Sequence, residues 1–379
     1  MNKGSDYYIT QYIKWKTKYL NLVGGKKKKK TKKKIARSKE ISKNKILGCF
    51  YGLCIGDAIG TRYEFTNKNE AITMIKNDME NNKLPLLGGG PFKTLPGQIS
   101  DDSEMMLCLL RSLAEKGKYD QVDVAKNYIE WYKSKPIDIG MTITRALHTR
   151  KLSENNIDMV VNSEELNKSS LSNGSLMRIA PLGLYALNTN KKDLKLVVGK
   201  ESDLTHPNHI LKDALYIYCL AIKYCFTDMS KKDIFELIME EASKKDIQPR
   251  IKIILNDSLS EPEPSYIIDT KGNEFYAPTD SKKYQGYFGI AFQNAFYEFM
   301  NGKSYEDSII NIMKRGGDTD TNCAIAGALL GSYYGIDNLN KDWLKTLKNA
   351  SYERIKEYPF LSVTNIDDYM KKYFEKNKK

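Results

Sequence analysis

From residue 46 the chain is patterned for helices. Ile46, Leu47, Phe50, Tyr51, Cys54 and Ile55 recur at three-to-four spacing, the period of one helix face. Gly48, Gly52 and Gly56 mark a second face on the same segment, where another helix can approach closely. Met105, Met106, Leu109, Leu110 and Leu113 form a further stripe, and residues 208–226, 286–300 and 322–335 read the same way. The last of these carries Ala324, Ala326, Gly327, Ala328 and Gly331, small residues that suit a central, tightly packed helix. Strand-like alternation is rare. Ile251–Leu255 is too short to assign, and residues 256–285, with Pro262, Pro264 and Pro278, read as a long surface loop. There is no internal repeat. The pattern predicts an all-α fold: one many-helix domain over 46–360, an arm over 1–45 and a C-terminal tail over 361–379.

The 379 residues carry a formal charge of +13. Residues 1–45 hold sixteen Lys/Arg against Asp6 and Glu40, so the arm is +14 and the remainder −1. The basicity therefore says nothing about a catalytic surface. Within the arm, residues 7–23 are an amphipathic Tyr/Lys/Leu segment that resembles a short tag at the start of many proteins of large DNA viruses. Gly24-Gly25 breaks it, and Lys26–Lys34 follows. Like charges at nearly every position repel, so that run is expected to be solvated. It could meet nucleic-acid phosphates non-specifically or an import receptor. The six cysteines (Cys49, Cys54, Cys108, Cys219, Cys225, Cys323) form no C-x-x-C pair and lie in apolar stretches, as reduced core thiols do. That argues for a reducing, intracellular setting and against structural zinc. No apolar run reaches about 18 residues, so no membrane span is expected, and the polar N-terminus lacks the apolar stretch of a secretory signal.

Two short acidic clusters precede apolar helical runs: Ser100-Asp101-Asp102-Ser103 and Gly317-Asp318-Thr319-Asp320-Thr321. Carboxylates and hydroxyls offer only hard oxygen ligands, the inventory of a Mg²⁺ or Mn²⁺ site. Taken alone, Ser100 with Asp101 and Asp102 also reads as an ordinary helix start, with Ser100 as N-cap. Asp318 and Asp320 stand at i and i+2, which diverge on a helix. They can converge only if the segment is a turn entering the helix, for which Gly316-Gly317 supplies backbone freedom. Gly56–Glu64 ends a small-faced helix in a carboxylate. Ser172–Arg178 is a polar turn before an apolar stretch, and Thr205-His206-Pro207 places an imidazole ahead of a helix. His148 and His209 are read as structural or surface residues.

Taken in order, these segments resemble the ADP-ribosylglycohydrolase family across most of residues 46–340. The series is Gly-Asp-Ala-Ile-Gly at 56–60 with Glu64, Ser-Asp-Asp-Ser at 100–103, Asp138-Ile139-Gly140-Met141-Thr142, Ser172–Arg178, Thr205-His206, and Gly-Gly-Asp-Thr-Asp-Thr-Asn at 316–322. The resemblance implies an all-α fold with a central cleft holding two Mg²⁺ or Mn²⁺ ions. Their ligands would be Ser100, Asp101, Asp102, Asp318, Asp320 and Thr321, with Glu64 handling metal or substrate. Asn173, Gly174, Ser175 and Met177 would line the ADP-ribose site, and His206 its edge. Serine stands at 100 and 103 where the family often has threonine, which keeps the hydroxyl. The implied reaction is hydrolysis of an ADP-ribosyl bond through an oxocarbenium-like state that needs an oriented water and a base, with Asp101 or Asp102 as the expected base. The expected partner is an ADP-ribosylated protein or a small ADP-ribose conjugate, and the expected state is a monomer, cytoplasmic or nuclear, in host cell or virion if viral. Three other readings stay open. They are a non-catalytic ADP-ribose-binding protein, a nucleic-acid role for the arm, and a generic metal phosphohydrolase.

Overall fold

A computed structural model of the chain describes residues 41–148 and 156–378. The basic arm falls outside the described residues as far as Glu40. Helices follow one another throughout: α1 (Lys43–Gly60), α2 (Lys68–Asp78), α3 (Asp101–Lys116), α4 (Gln121–Lys133), α5 (Met141–Leu147), α6 (Asn156–Leu166), α7 (Pro181–Tyr185), α8 (Lys191–Asp203), α9 (His209–Cys225), α10 (Lys231–Ala242) and α11 (Pro249–Asp257). A two-stranded hairpin, β1 (Ser265–Ile268) with β2 (Glu274–Ala277), interrupts the series. Then come α12 (Phe288–Asn301), α13 (Tyr305–Met313), α14 (Thr319–Tyr334), α15 (Lys341–Asn349), α16 (Glu353–Glu357) and α17 (Asn365–Lys376). The first helix starts inside the expected arm, because Ser42 accepts a hydrogen bond from the Lys45 N–H and caps it.

The centre of the fold is the pair α1 and α14, which run antiparallel and are buried on every side over Gly48–Gly60 and Thr319–Ser332. Their small residues face one another in register. A Cβ placed on Gly48 or Gly331 would strike the other's backbone, and the same holds for Gly52 against Gly327. Further along, Gly56 abuts Cys323 and Gly60 abuts Thr319 and Asp320. The Tyr305 hydroxyl donates to the Gly52 carbonyl (2.6 Å), tying α13 to the seam. α12, α13 and α9 pack around α14, and α3 packs against both central helices and α17. All six cysteines are buried and unpaired, as the apolar context predicts. Among the described residues, no helix is long and apolar enough to cross a membrane.

Three segments differ from the sequence reading. Ile251, Ile254 and Leu255 are the buried face of α11, which opens on Pro249 at a position where the missing N–H costs nothing. The stretch read as loop contains the hairpin. All four β1 residues are buried, so no alternation marks it, and its turn is held by Asp269 accepting the Lys271 and Asn273 N–H groups. Residues 361–379, read as a tail, hold α17, whose Ile366, Tyr369, Met370 and Tyr373 are buried at helical spacing against α3.

Gly52→Ala is expected to destabilise the protein by about 1–3 kcal/mol, because the added methyl meets backbone that cannot withdraw. Gly199→Ala, in α8, where the added methyl meets only the Lys212 side chain at an ordinary contact distance of 3.9 Å, is expected to stabilise by about 0.5–1 kcal/mol through helix propensity. Urea unfolding of the two variants against the native chain checks both signs.

Candidate metal centre

The seam between α1 and α14 ends at the acidic residues. Gly316 and Gly317 take left-handed φ values of +71° and +78°, and the Gly317 N–H donates to the Thr66 carbonyl while the Phe65 N–H donates to the Gly317 carbonyl, both at 2.8 Å. This pairing draws the segment after Glu64 against the start of α14. Asp318 occupies the N-cap position but makes no capping bond, and the Thr319 hydroxyl donates to the Gly60 carbonyl (2.7 Å). Carboxylate oxygens of Glu64, Asp318 and Asp320 consequently lie within 4.8 Å of one another. The turn inferred from Gly316-Gly317 is present.

The first cluster reaches the same place by a different device. Ser100 stands at the N-cap of α3 without capping it. Asp57, wholly buried in α1, does that instead, accepting the Ser100 N–H (3.0 Å) and the Ser103 N–H (3.1 Å) while the Ser100 hydroxyl donates to it (2.8 Å). Asp101 and Asp102 are thereby free of capping duty. The Ser100 hydroxyl also lies 3.2 Å from Asp102 Oδ2, and the Thr321 hydroxyl 3.5 Å from the same oxygen. Segments more than two hundred residues apart therefore meet.

The electrostatics are one-sided. Burial, then Asp318 and Asp138, pushes Glu64 up to about 10. Burial followed by Asp138, Asp57 and Glu104 raises Asp101, and burial followed by Asp57, Asp101 and Asp318 raises Asp102. Asp320 is raised by burial and then by Glu64 and Asp318. Burial lifts Asp57 and Asp138 to about 6. Among the described residues, no lysine or arginine forms an ion pair with any of these groups. Glu64 Oε2 and Asp102 Oδ1 are buried without any hydrogen-bond partner. Buried like charges and orphaned carboxylate oxygens are costly unless something positive satisfies them. Hard oxygen donors without sulfur or imidazole fit a divalent cation of the Mg²⁺ or Mn²⁺ kind.

The polar loop residues are arranged in layers. Asn173 Nδ2 donates to Asp318 Oδ2 (2.9 Å), so this residue reaches the cluster. Gly174, Ser175 and Met177 are buried with it, and Ser175 Oγ has no partner. His206 is not at an edge. It is wholly buried behind the loop, against Gly174, with Nε2 2.9 Å from the Ser172 hydroxyl and Nδ1 2.7 Å from the Thr205 hydroxyl. Burial and then Arg178 hold its pKa well below the usual imidazole range, so it stays neutral. Arg178 itself is paired with Glu201 (2.7 Å) and donates to Thr205 (2.7 Å).

Asp57 and Asp138 belong to the constellation; both stand in motifs that carry the family resemblance, although neither is among the site residues drawn from it. A lone aspartate in an otherwise apolar helix is the available signal for Asp57. Asp138 lies in a loop between α4 and α5 that gives no local sign of which way it faces.

An all-α fold with a buried cluster of hard oxygen donors at the meeting of two helix starts defines a narrow class of proteins. Residues 38–375 match the family model described as ADP-ribosylglycohydrolase, and the chain belongs to the ADP-ribosylglycohydrolase family. It is 30% identical over 308 residues to the ADP-ribosyl-dinitrogen reductase glycohydrolase of Rhodospirillum rubrum, covering 80% of this chain and 90% of that one. It is 29% identical over 330 residues to a protein of Acanthamoeba polyphaga mimivirus named as an ADP-ribosyl glycohydrolase, covering 84% and 94%. A solved structure titled "ADP-ribosylglycohydrolase-related protein complex" superposes with a TM-score of 0.63 at 24% identity, over 85% of this chain and 98% of that one.

A carboxyl held above its unfolded pKa lends stability that is complete below about pH 4.5 and drains away as pH rises towards 10. In EDTA, Glu64→Gln is therefore expected to gain on the native chain as pH rises from about 5 to 9, by at most about 1.4 kcal/mol per pH unit. Urea unfolding across that range reads the difference, and a flat difference would mean that Glu64 ionises freely.

Proposed function

We propose that the protein is a metal-dependent hydrolase that releases ADP-ribose from a protein side chain or a small ADP-ribose conjugate. The observation that carries this reading is the convergence of Glu64, Asp318 and Asp320 within 4.8 Å beside Asp102, with no ion-paired cationic side chain among the described residues to neutralise them. Ser100, Asp101, Asp102, Asp318, Asp320 and Thr321, with Glu64, are the residues that would hold two Mg²⁺ or Mn²⁺ ions. Bound there, such ions supply Lewis acidity and a template for hydroxyl-rich substrates.

The chain's own groups then divide the remaining work. Asn173 holds the Asp318 carboxylate by its amide. Asp101 and Asp102 are fully buried, and Asp102 Oδ2 is shared by two hydroxyls, which suits ligands better than a base. Asp138 is only half-buried, yet it is close enough to the cluster to raise Glu64 and Asp101. We assign it the proton of the water that attacks the anomeric carbon. Neutral His206, acting through Ser172, keeps the Asn173–Ser175 turn in place.

Free ADP-ribose is expected from ADP-ribosylated peptides with Mg²⁺ or Mn²⁺ and not with EDTA. Asp138→Asn is expected to lower kcat by about 10²–10⁴-fold while Mn²⁺ affinity, read by calorimetry, stays near the native value. Asp318→Ala is expected to abolish both. Full turnover in Asp318→Ala would contradict the proposal. Tight ADP-ribose binding without turnover on any substrate would favour a non-catalytic binding protein.

A further inference from the structure

We propose that Arg354, in the short C-terminal helix α16, is a positioning residue that fixes the Asp138 loop against the first turn of α3. The inference rests on the reaction proposed above and adds to it a residue distant in sequence from every motif of the site. The Arg354 side chain is 10% exposed, and its guanidinium makes four hydrogen bonds. Nε donates to Glu104 Oε1 (2.7 Å) and Nη2 to Glu104 Oε2 (2.9 Å). Nη1 donates to the Ser134 carbonyl (2.5 Å), and Nη2 also to the Ser134 hydroxyl (2.7 Å). Trp131 Nε1 donates to the same Glu104 carboxylate (2.7 Å).

The two anchored points are informative. Glu104 lies three residues after Asp101, one turn along α3. Ser134 is the C-cap of α4, its N–H closing the helix onto the Glu130 and Trp131 carbonyls. Lys135 then takes a left-handed φ of +56°, a conformation lysine adopts at a cost, and Asp138 follows three residues later. One side chain therefore bridges the helix that carries Asp101 and Asp102 to the turn that delivers Asp138. It also neutralises Glu104, a fully buried carboxylate that otherwise adds to the repulsion on Asp101. Lysine could neutralise Glu104 but could not span both anchors, because an ammonium lacks the planar fork. Displacing a reacting group by about 1 Å can cost 10²-fold in rate, and the bridge controls that displacement.

The test uses the full chain and Arg354→Lys, which keeps the charge on Glu104, with Ser134→Ala as a milder second variant that removes one anchor bond. Hydrogen exchange at residues 134–141 is expected to quicken about tenfold or more in Arg354→Lys, the equivalent of losing about 1.4 kcal/mol of local protection, while exchange at 101–108 is unchanged. The kcat for ADP-ribose release is expected to fall about 10–100-fold, with KM and Mn²⁺ affinity within about twofold, and Ser134→Ala is expected to shift the same readouts less. Unchanged exchange at 134–141 would overturn the proposal. So would a kcat loss that merely tracks lost Mn²⁺ affinity or a general rise in exchange. If the native chain releases no ADP-ribose from any substrate, the functional reading fails, whereas the exchange pattern still decides whether Arg354 holds the loop.

Discussion

The site depends on the close approach of α1 and α14. Backbone meets backbone at Gly48–Gly331 and Gly52–Gly327, a separation that any larger side chain on these faces would forbid. The antiparallel register then brings Gly60 onto Asp320 and leaves Glu64, four residues on, beside Asp318. Glycine in a helix interior carries an entropic penalty of roughly 1 kcal/mol, and repeated glycines on one face would weaken an isolated helix. Here dispersion between tightly apposed backbones and the shell formed by α9, α12 and α13 offsets that weakness. The reward is geometric: two helix ends held rigidly enough to place carboxylates against one another.

Such placement would be self-defeating for a fold that relied on it for stability. Burial and mutual repulsion raise Glu64, Asp101, Asp102 and Asp320 together, so each ionised form opposes the folded state. Asp57 is different. It is just as buried, but it has exchanged water for two N–H groups and a hydroxyl at the start of α3, and charge-assisted bonds of this kind recover much of the desolvation cost. By taking the capping role, it frees Asp101 and Asp102 from it, and Asp102 Oδ1 has no hydrogen-bond partner at all. The arrangement separates a capping carboxylate from the rest of the acidic cluster by hydrogen bonding. Glu104 makes the same point from the other side, because both its oxygens are bonded by Arg354 and Trp131.

Much of this is legible without any coordinates. The three-to-four periodicity from Ile46, the small face of Gly48, Gly52 and Gly56, and the small residues of 324–331 mark both central helices. The i, i+2 spacing of Asp318 and Asp320 already demands a turn, which Gly316 and Gly317 make. What escapes has identifiable causes. The hairpin is buried on both faces of β1, so period-two alternation never appears. Residues 361–379 look like a tail by position alone, although Ile366, Tyr369, Met370 and Tyr373 carry the helical spacing. Asp57 and Asp138 stand in motifs that carry the family resemblance, but which distant element each side chain meets, like the partners of Arg354, is encoded by no local pattern. The family resemblance puts His206 at the edge of the site, among the polar neighbours Thr205 and Asn208. In the fold it is wholly buried.

That burial bears on how the polar loop is controlled. Arg178 and Glu201 form an ion pair with no solvent access, and Tyr128 donates to the same carboxylate (2.8 Å). Replacing such a pair by apolar side chains often leaves stability unchanged or improved, so stability is a weak reason for its presence. Specificity of geometry is a better one. Arg178 fixes Thr205, Thr205 and Ser172 fix the two nitrogens of His206, and Ser172 bonds in turn to Thr142 (3.2 Å). Burial, and then Arg178, holds the imidazole neutral, so His206 can donate from one nitrogen and accept at the other, which an imidazolium could not do. The chain of bonds ends one residue before Asn173, whose amide grips Asp318. The second acidic cluster is thus steadied from behind by a polar network in the core, as the first is steadied by Asp57, and neither support adds a positive charge to the site itself.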